Sequence, residues 1–212
     1  MKRICREIIV AVVFTAMFVT PAKAQVYNGD FSLGLNGWTT FLPPSNTLWP
    51  DVEVALFDID GPGPLGTSPA FHVNVGSDAL LDLQQPVVLT AGVSYHFHAD
   101  LAMTPPGNNA DGGTIRVYVG PSLLASYSFG GTTVGVTEYA SISGTYQPAV
   151  TGAETLSIDF SRDWGIGIGW QTPNDWIDNI QLTPIPEPSA VAIIAAASGL
   201  MAIVGRRKVS FY

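Results

Sequence analysis

Three stretches of the chain carry side chains whose type and spacing could do chemistry. Trp164-Gly-Ile-Gly-Ile-Gly-Trp170 sets two indoles six residues apart with glycine at alternate positions between them. In an extended backbone, residues of even separation share a face, so both rings would present on one side, roughly 20 Å apart. Flat rings on a bare backbone suit stacking against the C–H faces of sugars, and Trp49, Trp176, Tyr95, Tyr118 and Tyr127 add to the aromatic inventory. The competing outcome is an indole that plugs the end of an apolar core, where most Trp goes. Both outcomes stand open for Trp164 and Trp170, whereas Trp38 and Trp176 are expected in the core. The second stretch, His96-Phe-His98-Ala-Asp100, lines up two imidazoles and a carboxylate on one strand face. Such a pair can ligate zinc when a neighbouring strand adds a third ligand, for which His72 is available. Without that ligand these are polar groups on a solvent face, which is the expectation. The third, Asp58-Ile-Asp60-Gly61, lacks the third acidic position and the distal Glu of a calcium loop and reads as a solvated turn.

Covalent catalysis finds little support. There is no Gly-x-Ser-x-Gly elbow and no His-Glu-x-x-His. The only cysteine is Cys5, and no lysine lies between Gln25 and Glu187, so thiol and Schiff-base chemistry are excluded from that segment. A carboxylate pair for glycoside hydrolysis remains open among its sixteen Asp and Glu, but nothing in the sequence singles one out. Against those sixteen stand Arg116 and Arg162 alone. A body this acidic repels nucleic acid and anionic membrane surfaces, and suits divalent cations or neutral, hydroxyl-rich ligands.

The elements that must position these residues read as strands. From Val26 to Leu182, short runs rich in Val, Ile, Phe, Tyr and Thr alternate with Gly, Pro, Asn and Asp turns. Val52, Val54 and Leu56 oppose Glu53 and Ala55. Phe71, Val73 and Val75 oppose His72 and Asn74. Tyr95, Phe97, Ala99 and Leu101 oppose His96, His98 and Asp100. Ile115, Val117 and Val119 oppose Arg116 and Tyr118, and Leu156, Ile158 and Phe160 oppose Ser157, Asp159 and Ser161. Period two with one apolar face means antiparallel strands on a shared core, and about ten such runs suffice for two packed sheets. The fold class is therefore all-β, a two-sheet antiparallel sandwich. Val26 to Phe31 and Ile177 to Leu182 are both strand-like, and pairing them would tie down the two ends of the domain.

The flanks differ in texture. Lys2, Arg3 and Arg6 precede an apolar run, Ile8 to Val19, and small residues at Ala22 and Ala24. That is a secretory signal peptide over residues 1–24, cleaved between Ala24 and Gln25 by signal peptidase. At the other end Pro186-Glu187-Pro188 is followed by an apolar run, 189–205, and then by Arg206, Arg207 and Lys208. As a helix that run would be about 25 Å long, at the short end for a membrane span. Positive charges at both ends place both in the cytoplasm, with residues 25–183 exported.

Two resemblances sharpen this reading. The ending, 184–212, resembles the PEP-CTERM sorting signal: Pro186-Glu187-Pro188, a transmembrane helix over 189–205 and the basic tail 206–208, in that order. The resemblance implies an exosortase as processing partner, cleavage near the Pro-Glu-Pro, and a membrane-anchored precursor that reaches the surface or matrix of a bacterium making exopolysaccharide. The body resembles carbohydrate-binding modules of the family 4, 9 and 22 type, which are galactose-binding-like jelly rolls. The residues that carry it are Asn28-Gly-Asp-Phe31 with Gly37-Trp38, the stretch Leu83 to Phe97 around Ala91-Gly92, and Trp176-Ile-Asp178-Asn179-Ile180. In that family a structural Ca2+ often sits where the first and last strands meet, which carries over to Asp178. The family often has an acidic residue after the Phe of the opening motif; Ser32 stands there, leaving Asp30 as the second candidate ligand. The alternative for Asp178 and Asn179 is a turn or cap. The expected function is non-enzymatic: a surface-sorted sandwich that interacts with extracellular polysaccharide or biofilm matrix. The alternatives are a matrix or adhesion protein that binds protein partners and, more distantly, a glycoside hydrolase.

Overall fold

The computed structural model describes residues 26–42, 51–74, 80–105, 111–162 and 172–185, all within the compact unit Ala22–Ile185. They form ten strands: β1 (Thr39–Phe41), β2 (Asp51–Phe57), β3 (Ser68–Asn74), β4 (Leu80–Leu89), β5 (Tyr95–Thr104), β6 (Thr114–Val119), β7 (Ser122–Ser128), β8 (Glu138–Tyr146), β9 (Gly152–Ser161) and β10 (Asn174–Pro184). No helix among the described residues is long and apolar enough to cross a membrane. The expected signal peptide with its Ala24–Gln25 cleavage site, the sorting residues Pro186, Glu187, Pro188, Arg206, Arg207 and Lys208, and the helix 189–205 lie outside the described residues, as do Trp49, Trp164 and Trp170.

The strands make two five-stranded sheets, β1-β4-β9-β6-β7 and β2-β3-β10-β5-β8, with every pairing antiparallel. The expected all-β sandwich is the fold observed. Its core is built by the apolar half of each alternation: Phe71 and Val73, Tyr95 to Leu101, Ile115 to Val119, and Leu156, Ile158 and Phe160 are all buried there. Leu56 departs from its run: at the end of β2 it is 70 % exposed. Trp38 is buried and packs on Phe31, ring centroids 5.7 Å apart. Trp176 corrects the expectation. It lies on the outward side of β10, half-buried, stacked on Phe57 at 4.2 Å with its indole N–H donating to Thr104 Oγ1 at 3.2 Å. The odd-even pleat places it opposite Ile177, whose side chain takes the core side.

The opening segment also differs from expectation. Residues 27–30 form turn, not strand, because Asn28 (φ 53°) and Phe31 (φ 49°) adopt the left-handed region that an extended chain avoids. Asn28 organises the turn: its Nδ2 donates to Gly34 O and Asn36 O, and its Oδ1 accepts from Leu33 N. Buried Gln85 then replaces a partner strand, accepting from Tyr27 N at 2.7 Å and donating to Tyr27 O at 2.8 Å. To β10 the segment is tied by the bond from Ile180 N to Gly29 O, 2.9 Å.

Candidate functional site

The outward face of the sheet β1-β4-β9-β6-β7 is polar, because its strands alternate apolar-in and polar-out. Register places Asp82 beside Asp159, and Gln84 beside Ser157. On the far side of β9, Asp159 pairs with Arg116 and Ser157 with Tyr118. On the near side of β4, Asp82 pairs with Phe41 and Gln84 with Thr39. The result is an open groove of about 460 Å³ lined by Asp82, Gln84, Tyr118, Gly120, Thr155, Ser157 and Asp159. It offers carboxyls, an amide, hydroxyls and one aromatic ring.

Two carboxylates facing each other across adjacent strands cannot both hold a full charge cheaply. Burial pushes the Asp82 carboxyl up to about 7, and the hydrogen bond and charge of Asp159 push the same way, against a smaller opposing effect of Gln84. Oδ1 of Asp82 is buried and accepts no hydrogen bond among the described residues, which favours the protonated carboxyl in the same direction. Gln84 Nε2 approaches Asp82 Oδ2 at 3.5 Å, and Ser157 Oγ donates to Asp159 Oδ1 at 3.0 Å. Arg116 does not neutralise the pair; it donates instead to Ser161 Oγ at 2.7 Å.

The raised Asp82 carboxyl sets a pH dependence. The Asp82 carboxyl binds its proton more tightly folded than unfolded, where its value is near 3.8. Its contribution to stability is therefore complete below 3.8 and is lost as pH rises through about 7. In Asp159→Asn the neighbouring charge is gone and an amide N–H can donate to Asp82. The Asp82 carboxyl should then titrate below 7 by carbon-13 NMR, though burial still holds it above 3.8; an unmoved titration would show that burial alone holds the proton.

The calcium candidates sit elsewhere, where the opening turn meets β10. Asp178 is buried at a β-bulge between Asp178 and Gln181, next to Asn179 at φ 54°. Its Oδ2 accepts from Ser68 Oγ and its Oδ1 from Asn179 N, both at 2.7 Å. Burial pushes its carboxyl up to about 6; those two hydrogen bonds oppose the shift, and the charges of Asp30 and Asp100 add to it. Asp30 is exposed, and its Oδ1 accepts from Ser32 N and Oγ at 3.3 and 3.0 Å. Each Asp178 oxygen keeps a second lone pair, whereas on Asp30 only Oδ2 carries no bond among these. Among the described residues, however, no group of three or more acidic, His or Cys side chains is placed to hold a metal. A calcium ion, which takes six to eight oxygens, would have to draw most of them from backbone carbonyls and water.

His96 and His98 point outward from β5 as their alternation requires. His98 Nε2 lies 3.2 Å from Asp100 Oδ1, and Asp100 Oδ2 accepts from Asn179 Nδ2 at 2.9 Å. His72 is not brought to them. It sits on β3, separated from β5 by β10, buried with its ring 4.4 Å from that of Trp176. Its Nδ1 is 3.5 Å from Glu53 Oε1, an approach without hydrogen-bond geometry. Asp58 to Gly61 is a turn, with Gly61 N bonded to Asp58 O and Asp60 exposed.

Of the groove residues, sequence reasoning had only Tyr118, Ser157 and Asp159 on outward faces. The Asp82–Asp159 pair was missed, since a pairing between residues 77 positions apart has no local signal. The polar positions at every second residue of β4 and β9 were the one clue available.

No protein-family model matches the chain, and no curated protein matches it. Among solved structures, it is similar to an arabinose-bound GH51 α-L-arabinofuranosidase, at a TM-score of 0.50 and 16 % identity. That match covers 77 % of this chain and 27 % of the arabinofuranosidase, so the chain spans about a quarter of that protein's length. It is also similar to a CBM61 in complex with β-1,4-galactotriose, at a TM-score of 0.45 and 16 % identity, over 77 % of this chain and all of the other. A CBM4 structure matches at 0.45 and 13 % identity, over 76 % and 99 %. At such identities the likeness is one of fold alone.

Proposed function

We propose that this protein is an exported, surface-sorted, non-catalytic module that binds extracellular polysaccharide on the outward face of the β1-β4-β9-β6-β7 sheet. The observation that carries the reading is the groove. It is open, lined by hydrogen-bonding groups of both polarities, and flanked by an aromatic ring. Such a surface matches sugar hydroxyls and C–H faces better than an apolar partner. The export route rests on the signal-peptide pattern of residues 1–24 and the resemblance of 184–212 to a PEP-CTERM signal. Signal peptidase and an exosortase are its processing partners, and the 189–205 helix is its membrane anchor before processing.

Catalysis is not part of this proposal. Two-carboxylate glycoside hydrolysis needs its acid and its nucleophile or base about 5 Å or more apart. Asp82 and Asp159 sit directly opposite each other on adjacent strands of one open sheet face, not on two sides of a cleft. The experiment is affinity electrophoresis of the full-length protein, solubilised in detergent, through gels containing exopolysaccharide or neutral plant polysaccharides. Retardation is expected, and Asp82→Asn with Gln84→Ala should weaken it. Unretarded migration in every gel removes the reading and favours a matrix protein whose partner is another protein.

Calcium belongs to the proposal as a structural ion at Asp178 and Asp30, which share one field at the junction of the opening turn and β10. Saturating calcium should raise the thermal midpoint of the wild type and leave that of Asp178→Asn unmoved. Equal midpoints with and without calcium in the wild type would leave Asp178 as a hydrogen-bonding hub of the bulge.

A further inference from the structure

One end of the sandwich is built without charge. It comprises the turn between β4 and β5 (90–94), the connection between β8 and β9 (147–151) and the last described residues, Pro184 and Ile185. Register brings them together: Tyr95 pairs with Pro184 on one side and with Tyr146 on the other, while Leu89 pairs with Gly152. Hydrogen bonds knit them into one surface. Gly92 N donates to Pro148 O at 2.9 Å, Ala91 N to Thr151 Oγ1 at 2.8 Å, Gln147 Nε2 to Gly92 O at 2.7 Å and Ile185 N to Ser94 O at 2.7 Å. These backbone groups are satisfied inside the protein and do not need water. Residues 86–94, 144–153 and 182–185 include no Asp, Glu, Lys or Arg. The first carboxylate in from this end is Glu154 on β9, and on β4, β5 and β10 it is Asp82, Asp100 and Asp178. The side chains that project are apolar: Val150 is 73 % exposed, Val88 65 % and Ile185 38 %, with Ala91 and Ala149 exposed beside them.

We propose that this end rests on the lipid bilayer, with Val88, Val150 and Ile185 at the boundary between headgroups and acyl chains. The proposal rests on the reading of 189–205 as a membrane anchor and adds which surface of the body meets the lipid. Chain length favours a bilayer as the occupant. Ile185 is pinned to Ser94, and four residues lead from it to position 189, a reach of at most about 14 Å when fully extended. Charge favours it too. Sixteen Asp and Glu against two Arg make the segment between Gln25 and Glu187 strongly acidic, so an anionic leaflet repels its carboxylate-bearing surfaces and tolerates an uncharged one. A second copy of the chain fits less well, because five small side chains fall short of the roughly 800 Å² per partner that a stable protein interface buries. Resting in this way, the body would hold Pro186-Glu187-Pro188 at the lipid surface, within reach of a membrane-bound processing enzyme.

The test uses the full-length protein with Cys5→Ser, reconstituted in phosphatidylcholine vesicles. One fluorophore is attached at Ala149→Cys or, at the opposite end of the sandwich between β7 and β8, at Val136→Cys; both positions are exposed. Lipids brominated high on their acyl chains should quench the label at 149 about threefold more strongly than the label at 136. Val88→Asp with Val150→Asp should bring the two labels level and leave the circular dichroism unchanged, since both valines project from the surface. Protein that floats with the vesicles on a density gradient but shows equal quenching at the two positions would overturn the resting end and leave the anchor standing. A label at 149 shielded from aqueous iodide yet untouched by brominated lipid would show a second copy covering this end, which overturns the inference equally. Protein that does not float removes the anchor reading, and this inference with it.

Discussion

Arg162→Met should cost about 3–5 kcal/mol of stability, the usual penalty for leaving one member of a buried ion pair behind. The guanidinium of Arg162 is wholly buried and donates from Nη2 to Asp175 Oδ2 at 2.9 Å and to Pro173 O at 3.1 Å. It thereby fastens the residue after β9 to the start of β10. Burial pushes the Asp175 carboxyl up, and the neighbouring arginine pulls it back down, so the pair is stable only as a pair. Gly113, at φ 90°, lets the backbone pass beside it: a Cβ there would lie 3.2 Å from Asp175 Oδ2 and 3.4 Å from Arg162 Nη2. Against a total stability of about 5–15 kcal/mol for a typical domain, a loss of that size brings the sandwich near its unfolding limit. Urea denaturation followed by circular dichroism gives the number. The deficit should shrink at acid pH, where the orphaned Asp175 can take a proton and lose its buried charge. The double variant Arg162→Met with Asp175→Leu should recover much of the loss, since both charges are then gone. A single variant within about 1 kcal/mol of wild type would show that the pair holds nothing together.

Gly29→Ala should lower the thermal midpoint by roughly 10 °C, corresponding to about 3 kcal/mol for a chain of this size. The reason is a close approach of two backbones. Gly29 O accepts from Ile180 N, and a Cβ on Gly29 would run into the carbonyl oxygen of Ile180. A carbonyl fixed in a strand cannot swing away as a flexible side chain could. Relief would require moving the opening turn or the β10 bulge that carries Asp178. Gly34→Ala is the control. Gly34 has φ 62° and open space around it, so alanine there meets only the backbone strain of the left-handed region, about 1–2 kcal/mol. If scanning calorimetry finds the two variants equally destabilised, the contact with Ile180 is not what demands glycine at position 29.

Part of this protein could be read without a structure. Alternation in Tyr95 to Leu101, Ile115 to Val119 and Leu156 to Phe160 named their buried faces correctly, because period two is a local property of an extended chain. The same logic placed His96, His98, Tyr118 and Asp159 outward. It failed at Val26 to Phe31, where composition is strand-like but two left-handed residues and the hydrogen bonds of Asn28 make a turn. It failed also at Trp176, since hydrophobicity favoured the core and only the pleat of β10 says which side the ring takes. The sequence motifs that looked most like chemistry were local ones, and the described residues bring none of them together into a constellation: His72 stays across β10 from His98, and Asp58 to Gly61 is a turn.

The division follows from the range of the forces involved. Strand number, the buried faces and the acidity of the body depend on neighbours a few residues away, so they are written into the chain directly. Which strands lie side by side, and in what register, depends on contacts between residues dozens of positions apart. Tertiary structure alone therefore seats Asp82 against Asp159, sets Tyr118 opposite Ser157 beside them, and buries Arg162 against Asp175. A slip of one residue in the β4–β9 register would turn one carboxylate of that pair from the groove toward the core. That is why a chain that announced its fold through alternation kept its candidate binding surface hidden until the sheet was assembled.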